Sequence, residues 1–248
     1  MIAETIGIRG HRNETIPAYY ARPLGAGPFP GMLVIHHGLG LDEWSTEVAR
    51  KFAEHGYAAI EPNLDHRAGE GDVEDVAARV RAMGWFPDDQ VMGDLASAIA
   101  FLRDQPLLNG RVGVIGFCSG GRYTYMAACR LEGLDAAVDC WGGSVVVDDP
   151  AQLTSARPVA PVDLTKDMRC PLLGIFGNED PNPTPAHVDR TEAELKKHGK
   201  PYEFHRYDGI GHGFFAVARP SYRPVQAMEA WATVFEFLGK HLTAAKSK

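Results

Sequence analysis

Residues 112–121 read VGVIGFCSGG, an apolar run that ends in Gly116, Phe117, Cys118, Ser119, Gly120 and Gly121. The run has the length and β-branched content of a buried strand. Small residues on both sides of the cysteine, followed by the helical pattern SGGRYTYMAACRL, mark a sharp strand-to-helix turn. Such a turn has two physical uses. One is packing alone, with a small residue where the chain changes direction. The other is a nucleophile elbow, in which the central residue sits on a strained backbone and its neighbours leave no room for side chains. Gly116 and Gly120, each two residues from Cys118, meet that need, and Gly121 lets the helix approach the sheet. At the helix N-terminus the backbone N–H of Ser119 is aimed at a developing oxyanion, and the same helix end favours a thiolate over a thiol.

On both sides of this stretch, strand and helix patterns alternate. ETIGIRG and TIPAYYARP, separated by HRNE, read as an opening antiparallel hairpin, and GMLVIHHG (31–38) as a buried strand. DEWSTEVARKFAEHG follows as a helix with Trp44, Val48, Ala49 and Phe52 on one face and Gly56 at its end. YAAIEPNL is a strand. A less regular excursion runs from Asp65 to Pro87, and DDQVMGDLASAIAFLRDQ is then a helix with Asp88 or Asp89 as its cap. NGRVGVIGF is a strand entered through an Asn109-Gly110 turn, and LDAAVDCWGG another. An irregular stretch from Val145 to Asp167 precedes the strand CPLLGIFG, the helix PAHVDRTEAELKKHGK closed by Gly199, the strand PYEFHRYDG and the terminal helix QAMEAWATVFEFLGKHL. The pattern predicts an α/β fold: a mostly parallel sheet with an N-terminal antiparallel hairpin and helices on both faces, as one domain over 1–248. No internal repeat or dividing linker is visible, and the only biased tract is the short TAAKSK tail.

Composition narrows the function classes. With 248 residues, 45% hydrophobic and 23% charged, the chain has ordinary globular composition and enough core to need no staples. A formal charge of −7 without a basic stripe argues against nucleic acid or an anionic membrane as a partner. The start, MIAETIGIRG, lacks an export signal, and the apolar runs are only strand-length. Four cysteines, Cys118, Cys129, Cys140 and Cys170, form no CxxC pair and sit in apolar contexts. Metal binding and a disulfide framework are therefore not expected, and a reducing cytoplasm is. No cofactor is expected. The expected partner is a small molecule, with the chain a monomer or small homo-oligomer.

In a parallel sheet covered by helices, ligands bind at the carboxyl ends of the strands. Three chemically capable side chains fall there: Cys118 after VGVIGF, Asp180 after LLGIFGNE, and His212 in GIGHGFF. Nucleophile, acid, histidine is the chain order of the α/β-hydrolase arrangement. Singly, each has a plainer reading as core, loop or turn; the three in this order and frame favour a relay. His212, between two glycines, would serve the thiol, and Asp180 would orient the imidazole. His36-His37 has no carboxylate cluster beside it, and neighbours on an extended strand face opposite sides, so an oxyanion-loop role outweighs a metal site. Trp85-Phe86 reads equally as a pocket cap or as packing.

The chain resembles the dienelactone hydrolases (carboxymethylenebutenolidases), the cysteine members of the α/β-hydrolase fold. The resemblance spans nearly its whole length and is carried by HHGLGLDEWSTEVARKFAEHGYAAIEPNL, GDLASAIAFLRDQP, NGRVGVIGFCSGG, GNEDPNPTP and GIGHGFF. The G-x-C-x-G-G elbow is its specific part, since most relatives of the fold carry serine there. The resemblance implies Cys118 as nucleophile, His212 as base and acid, Asp180 as orienting acid, and an oxyanion hole from the N–H groups of Ser119 and Gly38. It implies cleavage of a small lactone or ester through a thioester.

The chain departs from the family pattern around the substrate. His37 stands where the best-known members place a glutamate, Ala216 where they carry an arginine four residues after the histidine, and Trp141 at a pocket tyrosine. Arg219 is the nearest arginine to Ala216, and Arg79 or Arg81 could stand in for a second family arginine. Two orientations of His37 are open: toward the thiol, where it would leave Cys118 substantially ionised, or away to bond the loop 38–44. Alternatives to the lactone reading are a carboxylesterase-like or other acyl hydrolase on the same scaffold and a non-catalytic, redox-responsive thiol protein. A dinucleotide-binding oxidoreductase, with Asp139 about twenty residues past the glycines, fails on spacing: GVIGFCSGG is not G-x-G-x-x-G.

Overall fold

The computed structural model describes residues 1–243; the remainder of the TAAKSK tail lies outside the described residues. β1 (Ile2–Arg9) and β2 (Thr15–Arg22) form the expected antiparallel hairpin, Ile2 opposite Arg22 and Arg9 opposite Thr15. β2 lies antiparallel to β4 (Ala58–Pro62). From there β3 (Phe29–Ile35), β5 (Leu108–Phe117), β6 (Ala136–Cys140), β7 (Leu172–Gly177) and β8 (Tyr202–Tyr207) continue the sheet in parallel. The order is β1-β2-β4-β3-β5-β6-β7-β8.

Helices cover both faces. Leu33, Ile35, Val112 and Val114 pack with Leu95, Ile99 and Leu102 of α3 (Asp88–Arg103), Met126 of α4 (Ser119–Arg130) and Leu195 of α5 (Pro185–Lys197). On the opposite face Met32, Val34, Ile115 and Phe117 meet Val48 and Phe52 of α1 (Glu43–Glu54) and Val234, Phe237 and Leu238 of α6 (Pro224–Leu242). Successive residues of one strand thus feed two cores, and for that reason β3 and β5 read as unbroken apolar runs rather than alternating ones. No helix among the described residues is long and apolar enough to cross a membrane.

Two expectations need correction. The excursion from Asp65 to Pro87 contains a further helix, α2 (Val73–Ala82), with Val76, Ala77 and Val80 buried. Asp88 does not cap α3; Pro87 holds that position and gives no side-chain cap. Asp88 is instead 2% exposed and receives both arms of Arg122 from α4, at 2.6 and 2.9 Å. A buried guanidinium needs a matching acceptor pair more than a helix start needs a cap.

The strand order positions the site. β3 lies between β4 and β5, so the chain leaves β3 toward one edge and returns to its other side at β5. The loops that follow β3 and β5 therefore diverge, opening a crevice at the carboxyl ends of these strands. Gly38 lies on the first of these, and Ser119 is the first residue of α4 at the end of the second.

Candidate active site

Cys118 occupies the turn between β5 and α4 with φ 55° and ψ −117°, a strained conformation for a residue with a side chain. A Cβ on Gly116 would lie 2.1 Å from the carbonyl oxygen of Gly120, and one on Gly120 would lie 2.3 Å from that of Ile35. Only glycine fits either position. The end of β3 is thereby in backbone contact with the turn that presents the thiol.

The loops after β7 and β8 supply the partners. The Nδ1–H of His212 donates to Asp180 Oδ2 at 2.7 Å, and Asp180 Oδ1 accepts the N–H of Asn182 at 2.8 Å. Asp180 is 3% exposed, so both oxygens of a buried carboxylate are satisfied and its orientation is fixed. His212, Gly38 and Cys118 border one cavity, and the imidazole of His212 with the backbone N–H groups of Ser119 and Gly38 acts to lower the Cys118 thiol. The five groups named in the sequence, Cys118, Asp180, His212, Gly38 and Ser119, thus meet at one place.

Their electrostatics set Cys118 apart. Burial pushes its thiol up, but the bonds from His212, Ser119 and Gly38 outweigh that, and the net direction is down. Burial likewise pulls the His212 imidazolium down, yet Asp180 and Cys118 raise it to about 10. Both directions favour a thiolate–imidazolium pair. Cys129 and Cys170, with no such partners, are pushed up to about 12 by burial, and Cys140 is raised strongly for the same reason.

A cavity of about 370 Å³ opens on the thiol. Trp44, Trp85, Phe117 and Trp141 give it apolar walls, and Arg81, Ala216 and Arg219 also border it. Arg79 does not; it bonds the carbonyls of Ala68 and Glu70, away from the thiol. Arg81 donates to the carbonyl of Gly38. His37 borders the cavity but turns away from the thiol: its Nε2 meets Asp42 Oδ2 at 2.9 Å. Of the two orientations open to His37, the structure takes the loop bond, so the thiol is set by His212 instead. His36 is buried, with Nε2 accepting the N–H of Leu64 and Nδ1 donating to the carbonyl of His37, a link between the ends of β3 and β4. Among the described residues no three His, Cys, Asp or Glu side chains gather as a metal would require.

Asp42 is the residue the sequence reading passed over. Its Oδ1 caps α1 through the N–H of Ser45 at 2.9 Å, while Oδ2 takes His37 and, at 3.3 Å, Arg219. Burial raises its carboxyl, but these partners hold it down at about 2, so it is an anion facing Arg219. The signal was present as an Asp directly before a helical pattern. Trp44 and Phe117 were also missed as cavity walls, since their spacing reads as core.

The chain matches the family model described as the dienelactone hydrolase family over residues 16–242. A "Putative carboxymethylenebutenolidase" of Methylorubrum extorquens is 36% identical over 225 residues, covering 89% of this chain and 75% of the relative. A protein of the same name from Escherichia coli is 31% identical over 233 residues, 93% of this chain and 84% of its own. Among solved structures, a "Putative Dienelactone Hydrolase" of Klebsiella pneumoniae superposes with TM-score 0.86 at 28% identity, covering 97% of this chain and 99% of the other.

Proposed function

The chain belongs to the dienelactone hydrolase family, and on that premise we propose that it cleaves a small ester or lactone through a thioester on Cys118. The observation that carries this reading is that Cys118, on a strained strand-to-helix turn, borders one cavity with Gly38 and with His212, whose ring is bonded to Asp180. The thiolate adds to the substrate carbonyl carbon, and the carbonyl π electrons move to oxygen. The N–H groups of Gly38 and Ser119 stabilise that oxyanion. Its collapse breaks the bond to the alkoxide, which takes the proton from His212; in a lactone the alkoxide stays tethered to the acyl group. His212 then takes a proton from water as the water attacks the thioester, and the thiolate leaves. Asp180 keeps the imidazole in the tautomer this requires and stabilises the imidazolium.

The cavity favours an uncharged substrate. Ala216 offers no cation, Arg219 already faces the Asp42 carboxylate, and Arg81 is engaged with the Gly38 carbonyl. The remaining walls are largely aromatic. A neutral aryl or alkyl ester is therefore expected to show a kcat/KM at least about tenfold above that of the matched substrate carrying a free carboxylate, since an unpaired buried charge costs several kcal/mol. Turnover of matched pairs of esters and lactones, with and without the carboxylate, checks this. A preference for the carboxylated partner would overturn the substrate class.

A further inference from the structure

The two N–H donors at the sulfur come from chain segments far apart in sequence, so something must hold their spacing. Gly38 lies under the indole of Trp85: a Cβ on Gly38 would come within 2.9 Å of the ring's Cη2. Ser119 begins α4, and Tyr123 stands one turn further along the same helix, 5% exposed. Between Trp85 and Tyr123 sits the guanidinium of Arg157, from the irregular stretch Val145 to Asp167. Its Cζ is 4.2 Å from the centroid of the Trp85 ring and 5.4 Å from that of Tyr123, and its Nη2 donates to the Tyr123 hydroxyl at 2.8 Å. Trp85, Ser119 and Tyr123 border one small void of about 20 Å³, so little slack separates the Trp85 wall from α4.

The backbone on both sides of this contact is constrained. Trp85 has φ +72° directly after Gly84 at +83°, a conformation a bulky side chain rarely adopts, and its N–H closes back on the carbonyl of Val80 at 2.9 Å. Such strain persists only where surrounding contacts over-determine it. Arg157 is held in a tight turn, exchanging backbone bonds with Thr154 at 3.1 Å, and the neighbouring carbonyl of Ala156 accepts the N–H of Asp88 at 2.8 Å. Burial lowers the Arg157 pKa, as expected for a cation whose solvent has been replaced by two aromatic rings.

We infer that Arg157, which borders neither the catalytic cavity nor the thiol, is a positioning residue for the oxyanion hole: it ties Trp85, which packs on Gly38, to Tyr123, which moves with Ser119. The inference rests on the proposed thioester mechanism, because only there do these two N–H groups receive an oxyanion. A planar guanidinium suits the place, since it stacks on one ring and reaches the hydroxyl of another with the same group. A loosened Trp85 would let Gly38 drift, and small misplacements of a transition-state donor carry large rate costs.

The test compares two reactions of Cys118, one that builds an oxyanion and one that does not. In Arg157→Met, kcat/KM for p-nitrophenyl acetate is expected to fall about tenfold, mainly in kcat. The rate of Cys118 alkylation by iodoacetamide, a displacement with no oxyanion, is expected to stay within about twofold of wild type. Tyr123→Phe, which removes only the hydroxyl under Arg157, is expected to lose turnover in the same direction by about threefold, again with alkylation unchanged. Wild-type turnover in both variants would overturn the inference, and so would parallel losses in turnover and alkylation, which would mean a general disturbance of the thiol. If Arg157→Met does not fold, Tyr123→Phe decides by the same two rates. Cys118→Ala, assayed beside them, separates the two levels: retained activity there contradicts the thioester reading itself, whereas lost activity there with wild-type rates in the other two variants contradicts only the role of Arg157.

Discussion

Cys118→Ala and His212→Ala are each expected to lower ester turnover by roughly four orders of magnitude, and the double variant is expected to lose little more. The reason is that neither group works alone. His212 and the two N–H donors shift the thiol toward the thiolate, and Asp180 and Cys118 raise the imidazole to about 10, which favours its protonated form at neutral pH. Without the imidazole, the thiol loses the partner that offsets its burial, and the departing alkoxide loses its proton donor. Without the thiol, the imidazole has no nucleophile to serve. Steady-state rates for the two single variants and the double variant, on one neutral aryl ester, provide the check. Losses that multiply in the double variant would show that the two groups act separately.

Asp88→Ala is expected to destabilise the protein by about 3–5 kcal/mol, a drop of roughly 6–20 °C in Tm for a chain of this size. Asp88 and Arg122 are each 2% exposed, and Arg122 donates two hydrogen bonds to Asp88, so removing the carboxylate strands a guanidinium in the interior. The pair itself need not stabilise the fold, because the desolvation of both charges opposes their attraction. A double variant, Asp88→Leu with Arg122→Met, is therefore expected to recover most of the lost stability. Denaturant titration of the three proteins measures this. A loss below about 1 kcal/mol in Asp88→Ala would mean that water reaches Arg122. The consequence extends to the site, since α4 carries both Arg122 and Ser119 at its start.

The central strands were legible because burial on both faces demands continuous apolar runs, as in GMLVI and VGVIGF. The elbow was legible because backbone crowding leaves a glycine signature, Gly116 and Gly120 around Cys118. α2 was read as a loop because its apolar residues, Val73, Val76, Ala77 and Val80, are few and lie between glycine-rich flanks. Their i, i+3, i+4, i+7 spacing, preceded by Asp72, was nonetheless a helix signal. What the sequence could not disclose is pairing between distant segments. Nothing in DDQVMG shows that Asp88 will meet Arg122, and nothing near His37 shows that Asp42 will turn its ring from the thiol. The same holds for Arg157, which comes to Trp85 only through the tertiary fold. Local chemistry is written locally, while the partners that tune it are chosen by the closing of the sheet.

The thioester on Cys118 is the claim on which the rest depends, and it is open to direct observation. Wild-type protein mixed with p-nitrophenyl acetate and quenched in acid within the first turnover is expected to gain the mass of one acetyl group. Peptide mapping is expected to place that group on the segment containing Cys118, as a bond cleaved by neutral hydroxylamine. A protein that turns over the ester with no acyl adduct at any quench time would contradict the account, as would an adduct on Ser119, Cys129, Cys140 or Cys170.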